Sequence, residues 1–187
     1  GGSGIVIVRY LGADAAAGGT ETVGTGSAAG YSLHTYTTTG TSALTFNAIN
    51  AKLSGIINGA NRLTVNAAAG TLTLSGANTY SGGTTVSGGK LIAGIASTGS
   101  VTNGSFGTGT VTVQSGYTVE LNGYALANNF NLSGVGLSSN GALVNSTSTA
   151  LTLPGTITLA ADTTISSVGD LTVSGQITSA GFGLALK

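Results

Sequence analysis

Leu72 to Gly94 reads LTLSGANTYSGGTTVSGGKLIAG. It holds a short alternating strand, a polar turn, a second alternating strand, another turn and a third apolar run. Alternation of period two is the mark of a strand with one buried face. Nothing in the stretch is suited to acid–base, nucleophilic or metal chemistry. It reads as scaffold, held together by its backbone.

The same pattern continues outward. Thr110-Val111-Thr112-Val113, Thr118-Val119-Glu120-Leu121 and Leu151-Thr152-Leu153 alternate, as do Thr156-Ile157-Thr158-Leu159, Leu171-Thr172-Val173 and Leu184-Ala185-Leu186. In each, aliphatic residues share one face and small residues, mostly threonine, take the other. The β-branch of threonine fits a pleated surface. Between the strands lie Ser115-Gly116, Asn122-Gly123, Asn140-Gly141, Pro154-Gly155 and Gly169-Asp170. Glycine and asparagine there supply the positive φ of tight corners. Helix signals are weak. Ala51 to Arg62 has some helical spacing, but Gly55 and Gly59 interrupt it, at about 1 kcal/mol each.

Composition narrows the classes. Of 187 residues, 33 are glycine, charged residues make up 5%, and cysteine is absent. Five basic and five acidic residues give zero net charge, with no stripe to neutralise phosphates, so nucleic acid is not an expected partner. No apolar run approaches the roughly 20 residues of a spanning helix. Six tyrosines and four phenylalanines are too few and too scattered for the aromatic girdles of a lipid-facing barrel. Membrane insertion is not expected. Without cysteine there are no disulfide staples or thiolate metal sites.

Strand starts every 6–12 residues or so fit a sandwich, a barrel or a β-solenoid. The strands are short, many being single apolar pairs such as Val111/Val113, and the core residues are small. That favours a β-solenoid, with rungs stacked about 4.8 Å apart and Thr, Ser and Asn laddered outside. At about 20–25 residues per coil the chain would hold on the order of eight coils. The alternative is a β-sandwich or jelly roll with an exchanged edge strand. A change of composition near Asn66 to Gly70 divides the chain into an N-terminal β segment, 1–66, and a solenoid, 67–187.

Gly70 to Gly94 resembles the autotransporter-associated β-strand repeat, also called the passenger-associated transport repeat. The residues that carry the likeness are Leu72, Leu74, Ser75, Gly76, Ala77, Asn78, Thr79, Tyr80, Gly82, Gly83, Thr84, Thr85, Val86, Gly89, Leu91 and Gly94. Segments from Gly109 to Val113, Val119 to Gly123, Asn140 to Leu143 and Ile157 to Gly175 are more loosely similar to the coils around such repeats. The resemblance implies a right-handed parallel β-helix. It also implies a protein displayed outside a bacterium, on the cell surface or on the virion of a bacterial virus. It brings no catalytic residues. No translocator barrel or effector domain is recognisable in this chain.

GGSGIVIVRY at the N-terminus resembles the closing strand of glycine-rich modules in phage fibres and large surface proteins. Gly30 to Phe46 resembles the opening of another such module. In physical terms, residues 4–10 are a β-rich segment behind a glycine lead, able to donate a strand to the open edge of a neighbour. The ordinary reading is a first strand of the same chain. The expected assembly residues are Ile5, Val6, Ile7, Val8 and Tyr10 at one end and Leu184 and Leu186 at the other.

Reactive groups are few. His34, the only histidine, sits in alternating SLHTYT and reads as a strand residue. Asp14, Glu21, Glu120, Asp162 and Asp170 are far apart and read as solvated turn residues. Asp162 and Asp170 are the one pair a solenoid can bring onto adjacent corners, as a glycosidase would require of two facing carboxylates. Gly88-Gly89-Lys90-Leu91 lacks the hydroxyl residue and upstream glycine of a Walker A loop. Gly24-Thr25-Gly26 opens no Rossmann unit, and no calcium nonapeptide is present. Asn103, Asn131 and Asn145 begin sequons by chance composition. The six tyrosines read as isolated packing residues; clustered on one face, they would stack on sugars. No catalytic residue, cofactor or metal is expected.

These features point first to a non-enzymatic structural module of an extracellular fibre, stalk or adhesin, self-associating into a homo-oligomer or filament through open strand edges. A segment that binds a surface glycan is the second reading. A carbohydrate-active β-helix enzyme is the third.

Overall fold

A computed structural model describes residues 50–97 and 101–187, without the side chains of 68 and 69. Before residue 50 it describes the backbone of five strands. These are β1 (Val6–Leu11), β2 (Ala16–Ala17), β3 (Thr20–Val23), β4 (Tyr31–Tyr36) and β5 (Thr45–Phe46). They pair antiparallel, in the order β1-β4-β3 with β2 against β5. From residue 50 onward, all the paired strands are parallel. They are β6 (Asn50–Leu53), β7 (Leu63–Leu74), β8 (Thr84–Ala93), β9 (Val111–Val113), β10 (Thr118–Glu120) and β11 (Phe130–Gly134), followed by β12 (Leu143–Asn145), β13 (Leu151–Leu153), β14 (Ile157–Ser167), β15 (Leu171–Val173), β16 (Ile177–Ser179) and β17 (Leu184–Leu186). The segment expected to be a poor helix, Ala51 to Arg62, is strand and turn.

The parallel strands form a β-solenoid, and register makes its rungs explicit. On the first side Leu63, Thr84, Val111, Phe130, Ile157 and Ile177 are successive partners. That is six rungs. The parallel row Val65, Val86, Val113, Leu132 and Leu159 lies beside it, and these five are buried. On the second side Ala51, Leu72, Leu91, Val119, Leu143, Ile165 and Leu186 stack in the same way. The long strands β7, β8 and β14 turn a corner and supply both sides. The third side carries less regular strand. There Thr79 N–H donates to Ile57 O (2.9 Å), Thr108 N–H to Tyr80 O (2.9 Å) and Leu151 N–H to Asp170 O (2.8 Å).

The interior follows from the alternation. Each residue pointing inward meets its counterparts one rung above and below, so aliphatic side chains, with Tyr80, Phe106 and Phe130 among them, fill the core. A fully buried Leu, Val or Ile contributes about 1.5–3 kcal/mol. Outward, Thr64, Thr85, Thr112, Asn131, Thr158 and Thr178 form one row, the polar ladder the sequence led us to expect. Thr178 Oγ1 bonds Thr158 Oγ1 at 3.1 Å.

Two expectations need correction. Eight coils were expected, and the first side has six rungs. The strands before residue 50 are antiparallel and add none to it. The coils also differ in length, because segments 94–110 and 134–142 are longer than a minimal corner needs. The antiparallel sandwich, held as an alternative, is not the arrangement of residues 50–187.

Candidate functional site

The corner from Asn78 to Thr84 explains its own sequence. Asn78 is buried, and its side chain joins three coils. Its Oδ1 accepts from Ile57 N–H (2.8 Å) and its Nδ2 donates to Ser105 O (2.7 Å). Tyr80 is also buried and needs a partner for its hydroxyl. Thr84 provides it, replacing an aliphatic residue in the first-side row: the oxygens are 2.6 Å apart. Thr84 Oγ1 donates in turn to Phe106 O at 3.1 Å, so the phenol is the donor to Thr84. Burial pushes the Tyr80 phenol above its ordinary 10.0, against the opposing pull of the Thr84 bond. It stays protonated and serves as a core donor.

Between Tyr80 and Thr84 the chain runs against its neighbours. A Cβ on Gly82 would lie 2.4 Å from the carbonyl carbon of Asn61, and one on Gly83, at φ +85°, would lie 2.8 Å from Thr110 O. The NTYSGGTT motif is thus a set of mutual requirements among a buried amide, a buried phenol and a corner pressed between two coils.

The second cluster surrounds Glu120, which was expected to be a solvated turn residue. It is buried in β10 instead. In the alternation of Thr118-Val119-Glu120 it faces outward, but the chain beyond β12 and the turn at Leu137–Ser139 cover it. Its Oε1 accepts from Asn122 N–H (3.0 Å) and Ser146 N–H (2.9 Å), and its Oε2 lies 2.9 Å from Lys90 Nζ. Burial pushes the carboxyl up. The Ser146 N–H, the Lys90 ammonium and the Asn122 N–H outweigh that and hold it below its ordinary 4.5. Charge at this depth is tolerated because two N–H groups donate to Oε1 and the Lys90 ammonium lies beside Oε2, which has no other partner. A cleft of about 290 Å³ opens beside the pair. A shallower groove of about 510 Å³ runs along the first side past Arg62, Thr85 and Thr112.

The other candidate residues fall in separate places. Asp162 is exposed, and its Oδ1 accepts Gly183 N–H at 2.7 Å. Asp170 is exposed, and its backbone carbonyl receives Leu151 N–H. The run Thr163 to Ser167 separates them, so they occupy different corners of one coil. Val6, Ile7, Val8 and Tyr10 lie in β1, opposite Tyr36, Thr35, His34 and Ser32 of this same chain. Ile5 and Asp14 lie outside the described residues. Leu184 and Leu186 lie in the last strand, β17, with Leu186 75% exposed. Asn145 is buried with its amide fully bonded, to Gly123, Thr147, Thr149 and Ser167, so its sequon is a structural coincidence. Among the described residues, no group of three His, Cys, Asp or Glu side chains could hold a metal ion.

Two residues carry more than the sequence suggested. Asn128 is buried and donates to Gly107 O and Gly109 O, both at 3.0 Å. Lys90 is the cation for Glu120. The signal for that pair was present in part, since both residues occupy outward positions of alternating strands. Only the register, Lys90 opposite Thr118, sets them side by side.

Fold and clusters together define a class: a parallel β-solenoid whose buried polar residues join rungs. Comparison with known families gives a match over part of the chain. Residues 69–93 fit the family model described as the passenger-associated transport repeat. These residues include β8 and the NTYSGGTT corner. The repeat indicates a passenger-like structural module, secreted by or displayed on bacteria. No curated protein matches the chain, and no solved structure does.

Proposed function

We propose that this chain is a non-enzymatic length of a surface-displayed stalk or adhesin, and that it associates with further copies end to end. The observation that carries the reading is the state of the interior rows at the last rung. Ile177 continues the first-side row and is 44% exposed; Leu186 continues the second-side row and is 75% exposed. In the preceding rung their counterparts, Ile157 and Ile165, are 0% and 3% exposed. The interior rows, buried at Ile157 and Ile165, are partly open at the last described rung, and an exposed strand edge accepts a further strand. In this proposal that strand comes from a second copy. The transport-repeat match supports the placement of such a scaffold outside a bacterium.

The non-enzymatic reading is supported by Glu120, whose carboxylate is occupied by three donors, and by Asp162 and Asp170, which sit on separate corners. The test is sedimentation velocity across a concentration series, with electron microscopy of the concentrated sample. Growing species and filaments are expected, and Leu186→Lys should reduce both. A chain that stays monomeric at high concentration and forms no filaments contradicts the reading.

A further inference from the structure

The cleft beside Lys90 and Glu120 has a composition that selects a ligand. Its volume, about 290 Å³, is at the small end of the roughly 300–1,000 Å³ typical of small-molecule sites. It has room for one ring and not for a chain of them. Its floor is electrically balanced, because the Lys90 ammonium is 2.9 Å from the Glu120 carboxylate. Neither an anion nor a cation gains a free counter-charge there.

What the cleft does offer is unspent hydrogen bonding. The side chains of Ser138, Asn140, Ser146 and Ser166 line it without hydrogen-bond partners among the described residues. Lys90 has donors left beyond the one directed at Glu120. Val144, which is buried, and Val168, which is 73% exposed, add aliphatic surface to the lining. The rim is held in shape at backbone cost. Ser138 and Ser139 take positive φ, 52° and 59°, and Ser139 O accepts from Lys187 Nζ at 3.0 Å. Leu137 N–H is tied down to Thr118 Oγ1 at 2.9 Å. Strain of this sort persists where surrounding contacts fix it.

We propose that this cleft binds a single neutral hexopyranose unit. A pyranose matches both halves of the site, presenting hydroxyls to the serines and Asn140 and its C–H face to the two valines. No aromatic residue lines the cleft, so binding is weak, with Kd of about 1–10 mM. The proposal adds a ligand to the scaffold and does not depend on self-association. The oligomeric state is recorded in the same samples, so the two readings fail separately.

The experiment is saturation-transfer NMR on the full chain with methyl glucoside, methyl galactoside, methyl mannoside and N-acetylglucosamine. At least one should give a saturable signal and shift the amides of Ser138, Ser146 and Ser166. Asn140→Ala, at an exposed position, should weaken binding about fivefold, the equivalent of one hydrogen bond. Ser166→Val, which narrows the cleft, should abolish it while circular dichroism is unchanged. Inorganic sulfate should not displace the sugar. Absence of saturable transfer from all four sugars, displacement by sulfate, or unchanged affinity in both variants overturns the proposal.

Discussion

Gly82 and Gly55 are both corner glycines, and the residue scale separates them by what stands one coil away. A Cβ at Gly82 meets the backbone of Asn61 and Ala60 at 2.4 and 2.6 Å, and backbone cannot step aside. A Cβ at Gly55 meets nothing within 4 Å. Gly82→Ala should therefore destabilise by roughly 3 kcal/mol through forced displacement. Gly55→Ala should be neutral, or stabilising by about 0.5 kcal/mol through the unfolded chain. Urea denaturation of the two variants beside the parent chain checks the difference, and equal midpoints would contradict the close stacking of coils. Sequence alone places Gly82 in a polar turn and reads Gly55 as a break in a weak helical spacing. It could not say which one is pressed against a neighbour, because the neighbour is some 20 residues away along the chain.

At the scale of elements, Glu120 ties three strands' worth of chain together. Its carboxylate reaches back to Lys90 in β8 and forward to Ser146 just past β12. Because its pKa is lowered in the fold, its contribution is complete above the unfolded value. It is lost as pH falls through the folded value. Stability should therefore drop below about pH 4, and Glu120→Gln should flatten that part of the profile. At neutral pH the same variant should cost about 1–2 kcal/mol, since Lys90 and two N–H groups lose their anion. Thermal unfolding of both proteins from pH 3 to 7 reads the difference; parallel profiles would contradict the role.

The elements themselves were largely legible. Triplets such as Leu151-Thr152-Leu153 and Leu171-Thr172-Val173 are strands β13 and β15. Their period of two is a local property that survives any packing. Phe130–Gly134 and Ile177–Ser179 were not singled out. In the first, asparagine takes the outward place usually held by threonine. In the second, only one of the two inward positions is aliphatic. The Glu120 cluster was missed for a different reason. Burial of an outward-facing acid depends on the longer corner at 134–142, and a period of two does not reveal what a loop will cover.

For the whole molecule, the account depends on order along the axis: inside the core, each rung stacks on its immediate neighbours. The row Val65, Val86, Val113, Leu132 and Leu159 states that order in residues. Adjacent rungs stand about 4.8 Å apart, and alternate rungs about twice that. The coil count was misjudged from length because the strands before residue 50 pair antiparallel and add no rung to the first side, but the stacking order does not depend on that count. Methyl-to-methyl nuclear Overhauser measurements on the parent chain read it directly. The account predicts strong cross-peaks for Val86–Val113, Val113–Leu132 and Leu132–Leu159, with Val86–Leu132 weak or absent. Loss of the first three, or a Val86–Leu132 contact as strong as they are, would contradict it.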